Sequence, residues 1–378
     1  MRVCFVSSYP PNHARLSEYA DNLVAAFAER STIEELYVLA DKSQSKNNGL
    51  TNNPKVKVLR VWKPNSALSV FHITGYIVKI RPDVVHFNVA FQSFGTNKVS
   101  NLAGLSLILI SRLFGFRVLT GIHTLAEGTD LKKFSVEPSL VNRIGILVAT
   151  KMVLSSQTVV VLVHSYVKKL TQRYRHRCVI YIPHGTRMGT MEKVNFKQKV
   201  ILIFGHMGPH KGLPWLLEAY KEMLNEKINV KLVVAGQDHP NFPGYLKSFA
   251  KQNIPNVEFL DYVPEKQLEQ IFKTADVLAM PYLAVPGTSG VFYLACGYGT
   301  PVVASDLPEI REILADGASA TLVPPQNVKV LREEILKLLF DKKKSAEIAA
   351  KNIAFAQKRS WNFVAEAYEK AYKDLIRS

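Results

Sequence analysis

Cysteine is scarce in this sequence. Cys4, Cys178 and Cys296 are spread over 378 residues. So few, so far apart, they exclude a disulfide framework and point to a reducing compartment. Long apolar runs are missing as well. The nearest, Leu102 to Phe116, is broken by Arg112 and two serines, which excludes an ordinary transmembrane helix. The opening MRVCFVSSYP reads as a strand, too short and too soon interrupted for a secretory signal. The loop after it, SSYPPNHARLS, has no G-x-G-x-x-G, so the fingerprint of a dinucleotide-dependent oxidoreductase is absent. Acidic residues are missing from Pro138 to Met191. Residues 1–190 carry 24 Lys+Arg and 10 Asp+Glu, a net of +14. The totals of 48 and 31 leave 24 and 21 for residues 191–378, a net of +3. A basic half beside a near-neutral half points to an anionic partner for the first: a membrane surface, a phosphorylated lipid or a nucleic acid. The alternative is a generally basic, solvated surface.

What is present is apolar residue in quantity, 47% of the chain, enough for two domains of ordinary size. Short apolar runs alternate with helical periodicity in two successive series. In the first, Arg2–Ser7, Glu35–Ala40, Lys57–Val61, Arg81–His86, Val118–His123, Thr158–Val163 and Val179–Ile182 read as strands. Helices are expected from Ser17 and near 67–80, 102–116, 141–154 and 166–173. For 102–116 a place in the core is the expected one. Gly189 to Gln198 is polar and reads as a linker. The second series has strands at Lys199–Phe204, Asn229–Ala235, Val257–Leu260, Asp276–Met280, Pro301–Ser305 and Thr321–Val323. A final helix is expected over Trp361–Leu375. The pattern is α/β with parallel sheets.

In sheets of this kind ligands bind at the carboxyl ends of the strands. Five places there can meet an anion or a sugar. His13 and Arg15 follow the first strand, and His123 ends the fifth. Gly205-His206-Met-Gly-Pro-His-Lys211-Gly212 follows the strand at 199–204. The stretch PYLAVPGTSGVFYLACGYGTPVVAS, Pro281–Ser305, holds Gly287 in a loop and Thr288, Ser289 and Gly290 where a helix would begin. Ser and Thr suit an N-cap, and helix-end N–H groups favour a phosphate. Lys211 can add a point charge to a diphosphate. The plain alternatives are a well-capped βαβ crossover, a hydrogen-bonded structural histidine and solvated loop charges.

Several segments together resemble the GT-B glycosyltransferases, specifically the large retaining family numbered four, formerly group 1. They are Tyr9-Pro-Pro11, Asp83-Val-Val-His86, Thr120-Gly-Ile-His123, His164-Ser165, Ile182-Pro-His-Gly185, Phe204-Gly205 with Lys211-Gly212, Ala235-Gly236, Asn256–Leu260, Ala275-Asp276 and Gly299–Ser305. Each is weak; their order and spacing over nearly the whole chain make the set specific. The resemblance implies a hexosyltransferase moving a sugar from a UDP- or GDP-linked donor, with retention of configuration and no cofactor or obligatory metal. It implies two Rossmann-like domains facing across a cleft, 1–190 for the acceptor and 199–359 for the nucleotide sugar, with residues 360–378 as a helix returning to the first. Lys211 and His123 become the catalytic candidates, with His123 orienting the sugar rather than acting as a general base. Gly205, His206, Lys211, Gly287, Thr288, Ser289 and Gly290 become donor contacts; His13 and Arg15 lie on the acceptor side.

Three departures stand out. The family's glutamates, eight apart, fall on Pro286 and Leu294. The arginine before the Lys-Gly pair falls on His206, and the glycine pair of the first loop on His13-Ala14-Arg15. Some members carry a Ser-Gly loop in place of the glutamates, so Thr288-Ser289-Gly290 is read as the phosphate contact. The replaced carboxylates also admit a non-catalytic scaffold that binds a nucleotide sugar or glycan as a partner subunit. The expected acceptor is a glycan or a lipid-linked one, met by a cytoplasmic protein peripheral on the inner face of the cell membrane. Residues 168–177 are the expected anionic-membrane contact. Nucleic acid is not expected, because aromatic platforms are lacking there beyond Tyr174.

Overall fold

The computed structural model describes residues 1–12, 16–42, 53–125, 139–176, 178–189 and 198–378. These form two compact units. The first comprises the described residues of Met1–Thr129 and Pro138–Gly185, with Trp361–Ser378; the second is built on Thr186–Ser360.

The first unit holds β1 (Arg2–Val6), β2 (Glu35–Asp41), β3 (Val56–Trp62), β4 (Val84–Val89), β5 (Val118–Ile122), β6 (Thr158–Val161) and β7 (Val179–Tyr181). They lie in the order β3-β2-β1-β4-β5-β6-β7, all parallel. Every residue of β4, β5 and β6 is buried, which is why these strands read as continuous apolar runs. One face is covered by α1 (Ser17–Ala28) and by α13 (Trp361–Arg377), the returning helix. Tyr368 and Tyr372 of α13 are fully buried against Phe27. Each such side chain contributes about 1.5–3 kcal/mol, enough to hold the helix on this face. Glu369 adds ion pairs to Arg30 and Lys373, both at 2.5 Å.

The other face carries α2 (Ser69–Ile80), α3 (Lys98–Leu113), α4 (Leu140–Val153) and α5 (His164–Tyr174). The expectation of a core helix over 102–116 holds for its inner face alone. The helix begins earlier, at Lys98, because Asn97 caps it by accepting from Ser100 N at 2.7 Å. Leu105 and Ile108 are buried, but Leu102, Leu109 and Leu113 are exposed. A helix packed on one side of a sheet has an outer face, and in α3 that face is apolar.

The second unit holds β8 (Lys199–Phe204), β9 (Val230–Ala235), β10 (Val257–Leu260), β11 (Val277–Met280), β12 (Val302–Ser305) and β13 (Thr321–Val323). They are parallel in the order β10-β9-β8-β11-β12-β13. Its helices are α6 (Leu213–Asn225), α7 (Tyr245–Ala250), α8 (Glu265–Thr274), α9 (Gly290–Gly297), α10 (Pro308–Ala315), α11 (Val328–Phe340) and α12 (Lys342–Gln357). The short α10 was not expected; Pro308 opens it, and Ile310 and Ile313 bury its inner side. The strand order reverses between β1 and β4 in the first sheet and between β8 and β11 in the second. Loops leaving such neighbouring strands diverge and open a crevice.

Candidate donor and sugar sites

In the second unit the loops after β8 and β11, the two strands at the reversal, come together. Gly205 leaves β8 with φ +112°, a conformation that favours glycine. A Cβ there would lie 3.3 Å from Val291 Cγ2 and 3.4 Å from Lys211 Nζ. The β8 loop, the lysine and the first turn of α9 are therefore neighbours. A short turn, Pro209–Lys211, places the lysine. Gly212, φ +70°, then swings the chain into α6; a Cβ on it would stand 1.8 Å from the Pro281 carbonyl oxygen. Only glycine lets the Lys211 turn sit this close to the end of β11.

Tyr282 joins the parts. Lys211 Nζ donates to the Tyr282 hydroxyl at 2.6 Å and lies 3.9 Å from its ring centroid. The Ser289 side chain adjoins that hydroxyl and partly offsets the effect of burial on it. Ser289 in turn caps α9, accepting from Phe292 N at 3.4 Å. Burial raises the Tyr282 pKa well above that of a free phenol, so it stays protonated and neutral beside the ammonium. The Thr288 side chain is bonded to Tyr293, whose hydroxyl burial pushes up to about 12. The positive end of α9 and the Lys211 charge thus converge on one spot, an arrangement suited to an anion.

His206 is half-buried in the same loop, and Gly287 leads into the α9 cap with φ +100°. Pro286 and Leu294 are half-buried and supply no carboxylate. Tyr282 was missed by sequence reading. It is separated from Lys211 by 71 positions and lies in the apolar run that ends β11. A groove of about 680 Å³ lined by Leu202, Val233, Leu260 and Ile271 lies on the second unit and includes none of these residues.

In the first unit His123 follows β5, held by its backbone N–H to Val89 O at 3.1 Å. Its Nε2 meets Asn88 Oδ1 at 2.7 Å, and Asn88 Nδ2 donates to Ser7 Oγ at 2.9 Å. The Asn88 amide thus links the His123 ring to Ser7. Burial, with His184 and His86 adding to it, pushes the His123 pKa down to about 3. The ring is neutral near pH 7 and poor at taking a proton, which suits orientation better than general-base work. Tyr19 packs edge-on against it, centroids 4.3 Å apart. His13 and Arg15 lie outside the described residues.

Residues 198–341 match the family model described as glycosyl transferases group 1. The chain is 27% identical over 181 residues to a phosphatidyl-myo-inositol mannosyltransferase of Mycobacterium leprae, covering 48% of each. It is 28% identical over 185 residues to a lipopolysaccharide 1,2-N-acetylglucosaminetransferase of Salmonella typhimurium, covering 46% of this chain and 48% of that one. The chain spans about half the length of these curated relatives. Among solved structures, a sucrose-phosphate synthase from Thermosynechococcus elongatus superposes with a TM-score of 0.78 at 17% identity over 100% of both chains. Anabaena HepE in complex with UDP-glucose does so with a TM-score of 0.75 at 16% identity, over 99% of this chain and 100% of that one. At such identities the likeness is one of fold, and that fold is GT-B.

Proposed function

This chain carries a group 1 glycosyltransferase domain over residues 198–341 on a GT-B fold, and from that premise we propose that it transfers a hexose from a nucleotide sugar to a glycan or lipid-linked acceptor with retention of configuration. The observation that carries the reading is the hydrogen bond from Lys211 to Tyr282 beside the Ser289-capped start of α9, at the mouth of β8 and β11. In the reaction the bond from the sugar's anomeric carbon to the diphosphate breaks, a bond to the acceptor oxygen forms, and the acceptor's hydroxyl proton leaves on the nucleoside diphosphate. Negative charge grows on the departing nucleotide. Lys211 and the start of α9, with Gly205, His206, Gly287 and Thr288 around them, hold that charge where it develops. In the first unit, His123 offers a sugar a neutral ring to bond.

UDP- and GDP-linked sugars are the donors to test; UDP-glucose comes first, because it is bound in the HepE structure. A lipid-linked or cell-envelope acceptor is suggested by the names of the mannosyl- and N-acetylglucosaminyltransferases. An enzyme of such an acceptor works on the inner, cytoplasmic face of a membrane, where the basic first half finds anionic lipid. The test is a screen of nucleotide sugars for slow donor hydrolysis. Hydrolysis of one donor that is lost in His123→Ala supports the enzyme. Binding without turnover across diverse acceptors would instead fit a non-catalytic partner subunit.

A further inference from the structure

Four successive helices of the first unit, α2, α3, α4 and α5, contain no aspartate or glutamate. All four cover the same face of the sheet, through residues such as Ile73, Leu105, Ile108, Val153 and Leu170. The helices on the opposite face, α1 and α13, carry Glu18, Asp21, Glu366, Glu369 and Asp374. Carboxylates are sorted by face, a segregation that a merely soluble basic surface does not require. The carboxylate-free face is also where apolar side chains reach solvent. Of the sixteen exposed large hydrophobic side chains among the described residues, thirteen lie between Leu68 and Leu147; the others are Met188, Phe340 and Phe363. Phe71 on α2, Leu113 on α3, and Leu140 and Val141 on α4 are each about three-quarters exposed.

The first half of α4 is the extreme case. Its sequence is LVNRIGILV, yet its first buried residue is Ala149. Apolar surface of this extent, left uncovered, marks an interaction site. The helices adjoin in sequence order, α2 beside α3 and α3 beside α4. Lys98 Nζ donates to Asn142 Oδ1 at 2.9 Å, tying the first turns of α3 and α4 together. Those turns stand at the carboxyl edge of the sheet, the edge that carries His123. Cations are interspersed: Lys79, Arg81, Lys98, Arg112, Arg143 and Lys151.

We propose that this face docks on an anionic bilayer, with the exposed side chains of α3 and α4 entering the headgroup boundary and the interspersed cations meeting lipid phosphates. A second copy of the chain is the poorer occupant, because it would press together two sets of cationic helices that carry no carboxylate. The site is not the stretch 168–177. Lys168 and Arg173 on α5 are exposed, but no large hydrophobic side chain is exposed beside them, so that stretch can attract a bilayer but not enter it. The proposal deepens the reading of a lipid-linked acceptor, since it brings the bilayer to the edge where His123 lies.

The test sediments the intact chain with vesicles of phosphatidylglycerol and phosphatidylcholine, without donor or acceptor. Wild type binds, and binds less to phosphatidylcholine alone. Combined Leu140→Ser, Val141→Ser and Ile144→Ser, at positions more than half exposed, weakens binding about tenfold or more with nearly unchanged melting. Combined Lys98→Ser, Arg143→Ser and Lys151→Ser weakens it about fivefold per charge at low salt. Combined Lys168→Ser, Lys169→Ser, Arg173→Ser and Arg175→Ser weakens it less than either. Three outcomes overturn the proposal: no wild-type binding at low salt; equal binding by the apolar variant; or a dimer in sedimentation velocity that the apolar variant abolishes. Donor hydrolysis is followed in the apolar variant in parallel. Lost vesicle binding with intact hydrolysis supports the docking face independently of the transferase reading, and intact vesicle binding without hydrolysis refutes only the latter.

Discussion

Replacing Tyr282 by phenylalanine isolates the link between Lys211 and the start of α9. The ring stays, with its volume and its place 3.9 Å from the ammonium; only the hydroxyl is removed. That hydroxyl accepts from Lys211 Nζ at 2.6 Å, beside the Ser289 cap of α9. A hydrogen bond to a charged group contributes about 1.5–3 kcal/mol. Lys211 is half-buried and can recover part of that from water, so a net loss of about 1–2 kcal/mol in transition-state stabilisation follows. In kcat/KM this is roughly five- to thirtyfold. Removing the lysine itself should cost more, about 2–4 kcal/mol by analogy with a lost oxyanion donor. Because Tyr282 acts through Lys211, the double variant should be little worse than Lys211→Ala alone. The assay is donor turnover by the wild type, both single variants and the double. Unchanged kcat/KM in Tyr282→Phe while Lys211→Ala is impaired would refute the positioning role. Multiplicative losses in the double variant would refute it too.

Two further predictions concern stability. Gly212→Ala must leave φ +70° or push the Pro281 carbonyl aside, and should destabilise the second unit by about 2–3 kcal/mol; urea unfolding followed by circular dichroism measures this, and an unchanged midpoint would show that the turn relaxes. His86 is fully buried, with Nδ1 2.6 Å from the Tyr372 hydroxyl and a pKa pushed down to about 3 by burial. Above its ordinary value of 6.5 the ring is neutral folded and unfolded, so pH has no effect through it. Below that, the unfolded chain binds a proton the folded chain refuses, and stability falls as pH falls toward 3. At pH 5 the loss through this one ring is about 2 kcal/mol, so His86→Gln should unfold over a narrower acid range than wild type in urea titrations from pH 7 to pH 5.

The two sheets were legible because buried parallel strands are mostly short continuous apolar runs, and β6, β9 and β11 are of that kind. Their order was not, since strand pairing joins residues as distant as Val277 and Ile201. The loops holding Lys211 and Ser289 declared themselves through glycine, serine and threonine. Tyr282 did not, because a tyrosine at the end of an apolar strand looks like core until its hydroxyl is seen beside an ammonium. The outer face of α3 misled in the opposite way. Apolar composition alone reads as burial, and only the structure shows that Leu113 faces solvent.

In the proposed transfer, most depends on Lys211 holding the departing diphosphate. Release of nucleoside diphosphate from each nucleotide sugar, compared between wild type and Lys211→Ala at saturating and limiting donor, tests this directly. The account predicts release from at least one donor and a drop of roughly thirty- to a thousandfold in the variant. Equal release by the two proteins, or release from no donor at all, would contradict it.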